Sequence, residues 1–257
     1  MKMNIRPVST YYFRNYPADV LKPQNQIEIP GVSVITCTNR PESLQRILDN
    51  YCRQNHKSRE LIIILNNNTM DLTIWKAAVE SFPDIRVYQL DETTSLGECM
   101  NYAIEISSFN YVAKFDDDDY YAPSYLLRQM VAFTYTNADI VGKCTRYIFF
   151  SGRKILAIDN PGQENKYVKF ICGPTMVINK RVFKQVKFQN ITLGEDTEFL
   201  KDCQQAGFKI YATDRFDFVY LRNSKPGSHT WEIDEDRYLR SCMVIGHTSD
   251  YINPVTR

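Results

Sequence analysis

Leu61-Ile62-Ile63-Ile64-Leu65 is apolar at every position, and no other stretch limits the possible folds as much. Side chains alternate between the two faces of a strand, so a strand built from this run needs cover on both sides. The flanking pattern supplies it. Val32-Ser33-Val34-Ile35-Thr36 reads as a strand after Pro30-Gly31, and a helix starts near Pro41, with Leu44, Ile47, Leu48 and Tyr51 at helical spacing. A second helix is expected over 73–82, a strand over 85–90, a third helix over 97–107 and a strand over 111–115. In the third helix Met100, Ala103, Ile104 and Ile106 face inward. This alternation predicts an α/β sheet with right-handed crossovers.

The second half is less regular. Strands are expected over 140–150, 154–158, 168–178, 209–212 and 216–221, with Ser151-Gly152 as a hairpin turn. A short helix is expected over 179–186, and a longer one over 195–206 ended by Gly207. No repeat or low-complexity linker divides the chain, so residues 31–120 and 121–231 read as two halves of one domain. Residues 1–30 carry four prolines and the aromatics Tyr11, Tyr12, Phe13 and Tyr16. They read as an extended arm packed over the domain. Residues 232–257 read as a helix over 234–245 and a loose tail.

A net charge of +1 gives no global attraction to nucleic acid. The seven cysteines are odd in number and never spaced C-x-x-C, as expected of reduced thiols in a cytoplasmic protein. Three histidines are too few for a His-rich metal centre; His56 and His247 read as surface residues, Met100 and Met130 as core. No apolar run reaches membrane-spanning length, and no signal-peptide core is present at the amino end.

The chemistry concentrates at Lys114-Phe115-Asp116-Asp117-Asp118-Asp119. Adjacent carboxylates raise one another's pKa, so such a run sits in water or holds a cation. If the strand pattern continues, Asp116 and Asp118 share a face and suit a hard divalent ion. Ligands of such sheets bind beyond the carboxyl ends of the strands. Residues 36–39, residues 66–69 and the four aspartates all fall there.

In order along the chain come Val32-Ser33-Val34-Ile35-Thr36, residues 60–69, Ser95-Leu96-Gly97 followed by Asn101, the four aspartates, and Gly194-Glu195-Asp196-Thr197-Glu198-Phe199. Together they resemble the family 2 glycosyltransferases over roughly residues 30–225. The resemblance implies the GT-A fold: a Rossmann-like nucleotide-binding half with a mixed sheet, an acceptor-side half, and short terminal extensions. It implies an inverting transfer from a nucleoside diphosphate sugar, UDP- or dTDP-linked, to a glycan, lipid-linked or small-molecule acceptor, with Mg²⁺ or Mn²⁺. Thr36, Thr38 and Asn39 would contact the nucleoside, and Asn66 and Asn67 the base or ribose. Gly97, Asn101, Asp116 and Asp117 would complete donor binding. Asp118 and Asp116 would hold the metal, with Asp116 nearer the ribose or the metal's water shell, and Asp196 would be the base.

His229, in a basic loop, reads equally as a diphosphate flap with a metal contact or as a surface residue. Arg222 reads as a phosphate partner or a structural ion pair, Glu198 as solvent-facing or pocket-supporting, and Asp196 alternatively as a helix cap. Many relatives carry an acid where this chain has Asn66-Asn67, and an amide loses charge-assisted strength. An inactive transferase-like binding module therefore stays open. So does a sugar nucleotidyltransferase or other metal-dependent phosphotransferase, although residues 32–40 lack the glycine-rich phosphate loop such enzymes use. By analogy the product is a cell-wall, cell-surface or spore glycan. Peripheral membrane contact is left open and the oligomeric state is unassigned.

Overall fold

The computed structural model describes residues 29–223 and 233–257. Most of the expected arm and His229 lie outside them. The chain opens with β1 (Val32–Thr38), α1 (Leu44–Cys52), β2 (Arg59–Leu65), α2 (Leu72–Val79), β3 (Ile85–Gln89), α3 (Leu96–Glu105) and β4 (Tyr111–Lys114). β3, β2, β1 and β4 are mutually parallel neighbours in that order. β2 is therefore internal, as its apolar run requires. Leu61, Ile63 and Leu65 pack with Ile47 and Tyr51 of α1 and Trp75 and Val79 of α2. Ile62 and Ile64 point the other way, onto Cys99, Met100, Ala103 and Ile104 of α3. Each such fully buried aliphatic side chain stabilises the fold by about 1.5–3 kcal/mol.

The remaining elements are β5 (Tyr120–Tyr121), α4 (Tyr125–Tyr135), β6 (Ile140–Gly142), β7 (Arg146–Phe150), β8 (Ile155–Asp159), β9 (Lys166–Val168), β10 (Val177–Asn179), α5 (Glu195–Gln205), β11 (Ile210–Ala212), β12 (Phe218–Arg222), α6 (Glu235–Ser241) and β13 (Met243–His247). β10, β6, β11 and β9 extend the first sheet beyond β4, and antiparallel pairings make it mixed. A second sheet has the order β13-β8-β7-β12-β5.

Four expectations need correction. The strand expected over 140–150 is two strands, β6 in the first sheet and β7 in the second. Between them Lys143 is buried, its Nζ donating to the Asp214 carbonyl at 2.6 Å. The strand expected over 168–178 is broken by a 3-10 turn at Gly173–Thr175. The tail is not loose after its helix: α6 stops at Ser241, and β13 pairs with the β8 edge. His56 is buried, its Nε2 3.0 Å from the Pro30 carbonyl oxygen. The hairpin turn at 151–152 stands between β7 and β8, and Gly207, at φ +84°, follows α5. Among the described residues no helix is long and apolar enough to cross a membrane.

Candidate active site

β4 ends at Lys114, and the aspartates that follow form a tight turn held by aromatic rings. Phe115 stacks on Tyr121 with centroids 3.7 Å apart. The Tyr121 hydroxyl accepts the Asp116 N–H and donates to the Pro174 carbonyl, both at 2.8 Å. Asn50 of α1 donates to the Asp119 carbonyl at 2.9 Å, and Arg46 to the Asp118 carbonyl at 2.6 Å. The turn is thus tied to α1 and the second sheet, and it is not an acidic loop in bulk water: Asp117 and Asp119 are buried.

Oxygens of Asp116, Asp118 and Asp119 lie within 4.8 Å of one another. This convergence comes from the turn, not from strand alternation. Asp119 is 1% exposed; its Oδ1 accepts the Leu221 N–H at 3.0 Å, whereas its buried Oδ2 has no donor. Burial first, then Asp118 and Asp116, push its pKa well above the carboxylate range. An ionised oxygen in that position is costly unless a cation meets it. The all-oxygen set therefore fits a hard divalent ion. Asp117 turns away to Thr38 Oγ1 and to Arg40, whose guanidinium also reaches Asp118 at 3.0 Å. Burial and Asp118 push the Asp117 pKa up to about 6, against Arg40 and Thr38.

The facing wall comes from the start of α5. Lys114 Nζ, buried at the end of β4, donates to Asp116 Oδ1 at 2.6 Å and stands 3.8 Å from Glu195 Oε1. Burial alone would depress this ammonium, but Asp116, Glu195 and Asp196 outweigh it and hold its pKa above the usual lysine value. Burial pushes Glu195 up to about 7, with Lys114 opposing. Asp196 does not cap α5, where Gly194 is the N-cap. Its Oδ1 accepts the Thr197 N–H at 2.6 Å, and its Oδ2 packs where residue 173 has no side chain. A Cβ on Gly173 would lie 1.9 Å from that oxygen.

Thr38, Asn39, Asn66, Asp116, Asp117, Asp118 and Asp196 line one cleft of about 680 Å³. Thr36, Asn67, Gly97 and Asn101 are not among its lining residues. Thr36 is buried within β1. Asn67 braces the cleft from behind, donating to the Asn39 carbonyl at 3.0 Å. Gly97 permits close packing, since a Cβ there would lie 1.9 Å from the Gln189 carbonyl oxygen. Asn101 clamps Phe188 through its carbonyl and N–H at 2.8 and 3.0 Å. Glu198 is paired with Lys201 at 2.6 Å, and Arg222 is buried with a contact to the Ile233 carbonyl at 3.3 Å. Sequence reasoning passed over Arg40, Arg146 and Gly173, and named Lys114 and Asp119 only as members of the acidic run. Arg40, directly after the polar end of β1, had a positional signal; Arg146 and Gly173 had none.

Among the described residues the cleft holds Arg40, Lys114 and Arg146 against six lining carboxylates: Asp116, Asp117, Asp118, Glu195, Asp196 and Glu198. It is acidic in itself. A larger groove of about 1290 Å³, lined by Gly31, Asn110 and Lys184 among others, lies at the opposite end of the parallel strands and contains none of the aspartates of the turn.

The sequence model of the family described as Glycosyl transferase family 2 matches residues 33–191. No curated protein sequence matches the chain. Among solved structures, S. aureus TarS 1-349 in complex with UDP-GlcNAc aligns with a TM-score of 0.60 and 16% identity, over 82% of this chain and 64% of that one. The mannosyltransferase PcManGT from Pyrobaculum calidifontis, in complex with GDP-Man and Mn²⁺, aligns with a TM-score of 0.57 and 14% identity, over 79% and 59%. The chain thus spans less than two thirds of either structure's length. At these identities the likeness shows the fold, which is GT-A.

Proposed function

The chain belongs to glycosyl transferase family 2, and from that premise we propose that it moves a sugar from a nucleoside diphosphate sugar to an acceptor hydroxyl with inversion. The observation that carries this reading is a convergent carboxylate triad, of which Asp116 and Asp118 line the same cleft as a separate carboxylate at the start of α5. Asp116, Asp118 and Asp119 hold Mg²⁺ or Mn²⁺. When bound, the cation supplies Lewis-acid stabilisation of the departing diphosphate. An acidic cleft would otherwise repel that diphosphate. Asn39 and Asn66 hydrogen-bond the nucleoside, and Arg40 holds Asp117 and Asp118 in register.

Asp196 accepts the proton of the acceptor hydroxyl as its oxygen attacks the anomeric carbon. One displacement from the face opposite the leaving group inverts that centre and needs no enzyme nucleophile. Lys114 keeps the donor-side Asp116 and the base-side Glu195 at a fixed separation. The relatives crystallised with UDP-GlcNAc and with GDP-Man and Mn²⁺ support a nucleotide-sugar donor. Seven free thiols suit a reducing cytoplasm.

The test is a donor screen with Mn²⁺ or Mg²⁺, scored by nucleoside diphosphate release. Release is expected from one diphosphate-sugar class, and Asp196→Asn lowers it by about 100-fold or more while the Mn²⁺-dependent binding of UDP or GDP persists. Preference for a nucleoside triphosphate would favour a nucleotidyltransferase instead. Release unaffected by Asp196→Asn would remove that residue from the mechanism.

A further inference from the structure

Two large apolar side chains at the cleft take no part in the donor chemistry. Phe170 is 41% exposed and Leu193 is 62% exposed, and both line the cleft. Their backbones are pinned. Gln204 Nε2 of α5 donates to the Lys169 carbonyl at 2.7 Å, and the Cys172 N–H donates to the Lys143 carbonyl at 2.8 Å. On the other loop the Gly97 N–H donates to the Ile191 carbonyl at 3.1 Å, and the Leu96 N–H to Thr192 Oγ1 at 3.3 Å. Backbone held on either side of these residues lowers the ordering cost of a binding surface.

Both sit on chain segments that lead to the Asp196 contact. Phe170 lies three residues before Gly173, the position against which the Asp196 carboxylate packs, and Leu193 lies three residues before Asp196 itself. On the proposed reading, the molecule that approaches Asp196 is the acceptor. Charge then narrows its class. Glu195, Asp196 and Glu198 line this side of the cleft. Every lining cation among the described residues is already paired: Arg40 with Asp117 and Asp118, Lys114 with Asp116, and Arg146 with Asp159. Among the described residues an anionic acceptor would meet like charge and no unpaired cation.

We propose that Phe170 and Leu193 form an acceptor subsite for an uncharged sugar ring, packed by its apolar face, and that the subsite rejects acceptors whose reacting residue is anionic. This rests on the glycosyltransferase reading. Sites of this kind combine apolar walls with a few polar groups that fix orientation; here Asp196 lines the same cleft.

Saturation-transfer NMR on the full chain with Mg²⁺ and UDP tests it, with methyl β-glucopyranoside, methyl β-galactopyranoside and methyl glucopyranosiduronate as probes. Ring protons of at least one neutral glycoside are expected to receive saturation, and the uronate none. Phe170→Ala and Leu193→Ser each reduce the signal by roughly threefold to tenfold, with transfer to UDP retained. Both residues are exposed, and unchanged melting curves confirm that the variants fold. Saturation of the uronate equal to that of the neutral glycosides, none on either neutral probe, or no loss in Phe170→Ala overturns the subsite alone. Absence of transfer to UDP, and to GDP put in its place in a second sample, overturns the functional reading and the subsite with it.

Discussion

At Asp119 one carboxylate oxygen accepts the Leu221 N–H and the other is buried without a donor. In the metal-free protein this side chain is a liability, because its charge is desolvated beside Asp116 and Asp118. Asp119→Asn keeps the acceptor for Leu221 and removes the charge. The metal-free variant is expected to be more stable than the parent at pH 7.5 by about 1–3 kcal/mol, and to lose the stabilisation the parent gains from Mn²⁺. Paired denaturation curves with chelator and with Mn²⁺ check both halves. Glu195 gives the pH dependence. Its pKa rises from 4.5 in the unfolded chain to about 7 in the fold. Between those values the folded protein keeps a proton that the unfolded chain has released, so stability falls as pH rises through the window. The loss is at most about 3 kcal/mol. Melting curves in chelator at pH 5 and pH 7.5 should show it, and Glu195→Gln should flatten the difference.

Among the elements, the 3-10 turn after β9 sets the position of Asp196, the proposed base. Gly173 leaves room for the Asp196 carboxylate at the start of α5. Gly173→Ala drives a methyl into Asp196 Oδ2, an atom that moves, so the fold persists while the base shifts. Transfer is expected to fall by about 10-fold to 100-fold with a small change in melting temperature; unchanged activity would show that the contact does not position Asp196. The elements that sequence reasoning recovered are those whose burial is periodic. The both-face run of β2, the helical spacing of α1 and the inward stripe of α3 each state their environment locally. The elements it missed are set by tertiary partners. The 140–150 run carries no turn residue at Lys143, because the chain changes sheets there through a buried ammonium and the Asp214 carbonyl. β13 is a strand because the β8 edge is open to pairing, which no local propensity reports. Asn101 and Gly97 occupy positions the family pattern associates with the donor, yet they serve the 188–191 loop. That contact joins segments nearly 90 residues apart.

For the whole molecule, the parallel half brings the ends of β1, β2 and β4 to one edge, and the second half folds α5 and the second sheet over that edge. Among the described residues the cleft is acidic, with three paired cations against six carboxylates. Nothing in that balance welcomes a nucleoside diphosphate unless a divalent cation enters with it or before it. On the proposed function, binding of metal and nucleotide is strongly coupled, each raising the other's affinity by the same factor. Isothermal titration of UDP and of GDP into the protein, with Mn²⁺ and with chelator, measures that coupling directly. The account predicts that one of the two nucleotides binds only with Mn²⁺, and that Asp118→Ala removes the Mn²⁺ dependence together with the binding. Equal affinity in chelator and Mn²⁺, or an Asp118→Ala variant that binds as the parent does, would contradict it.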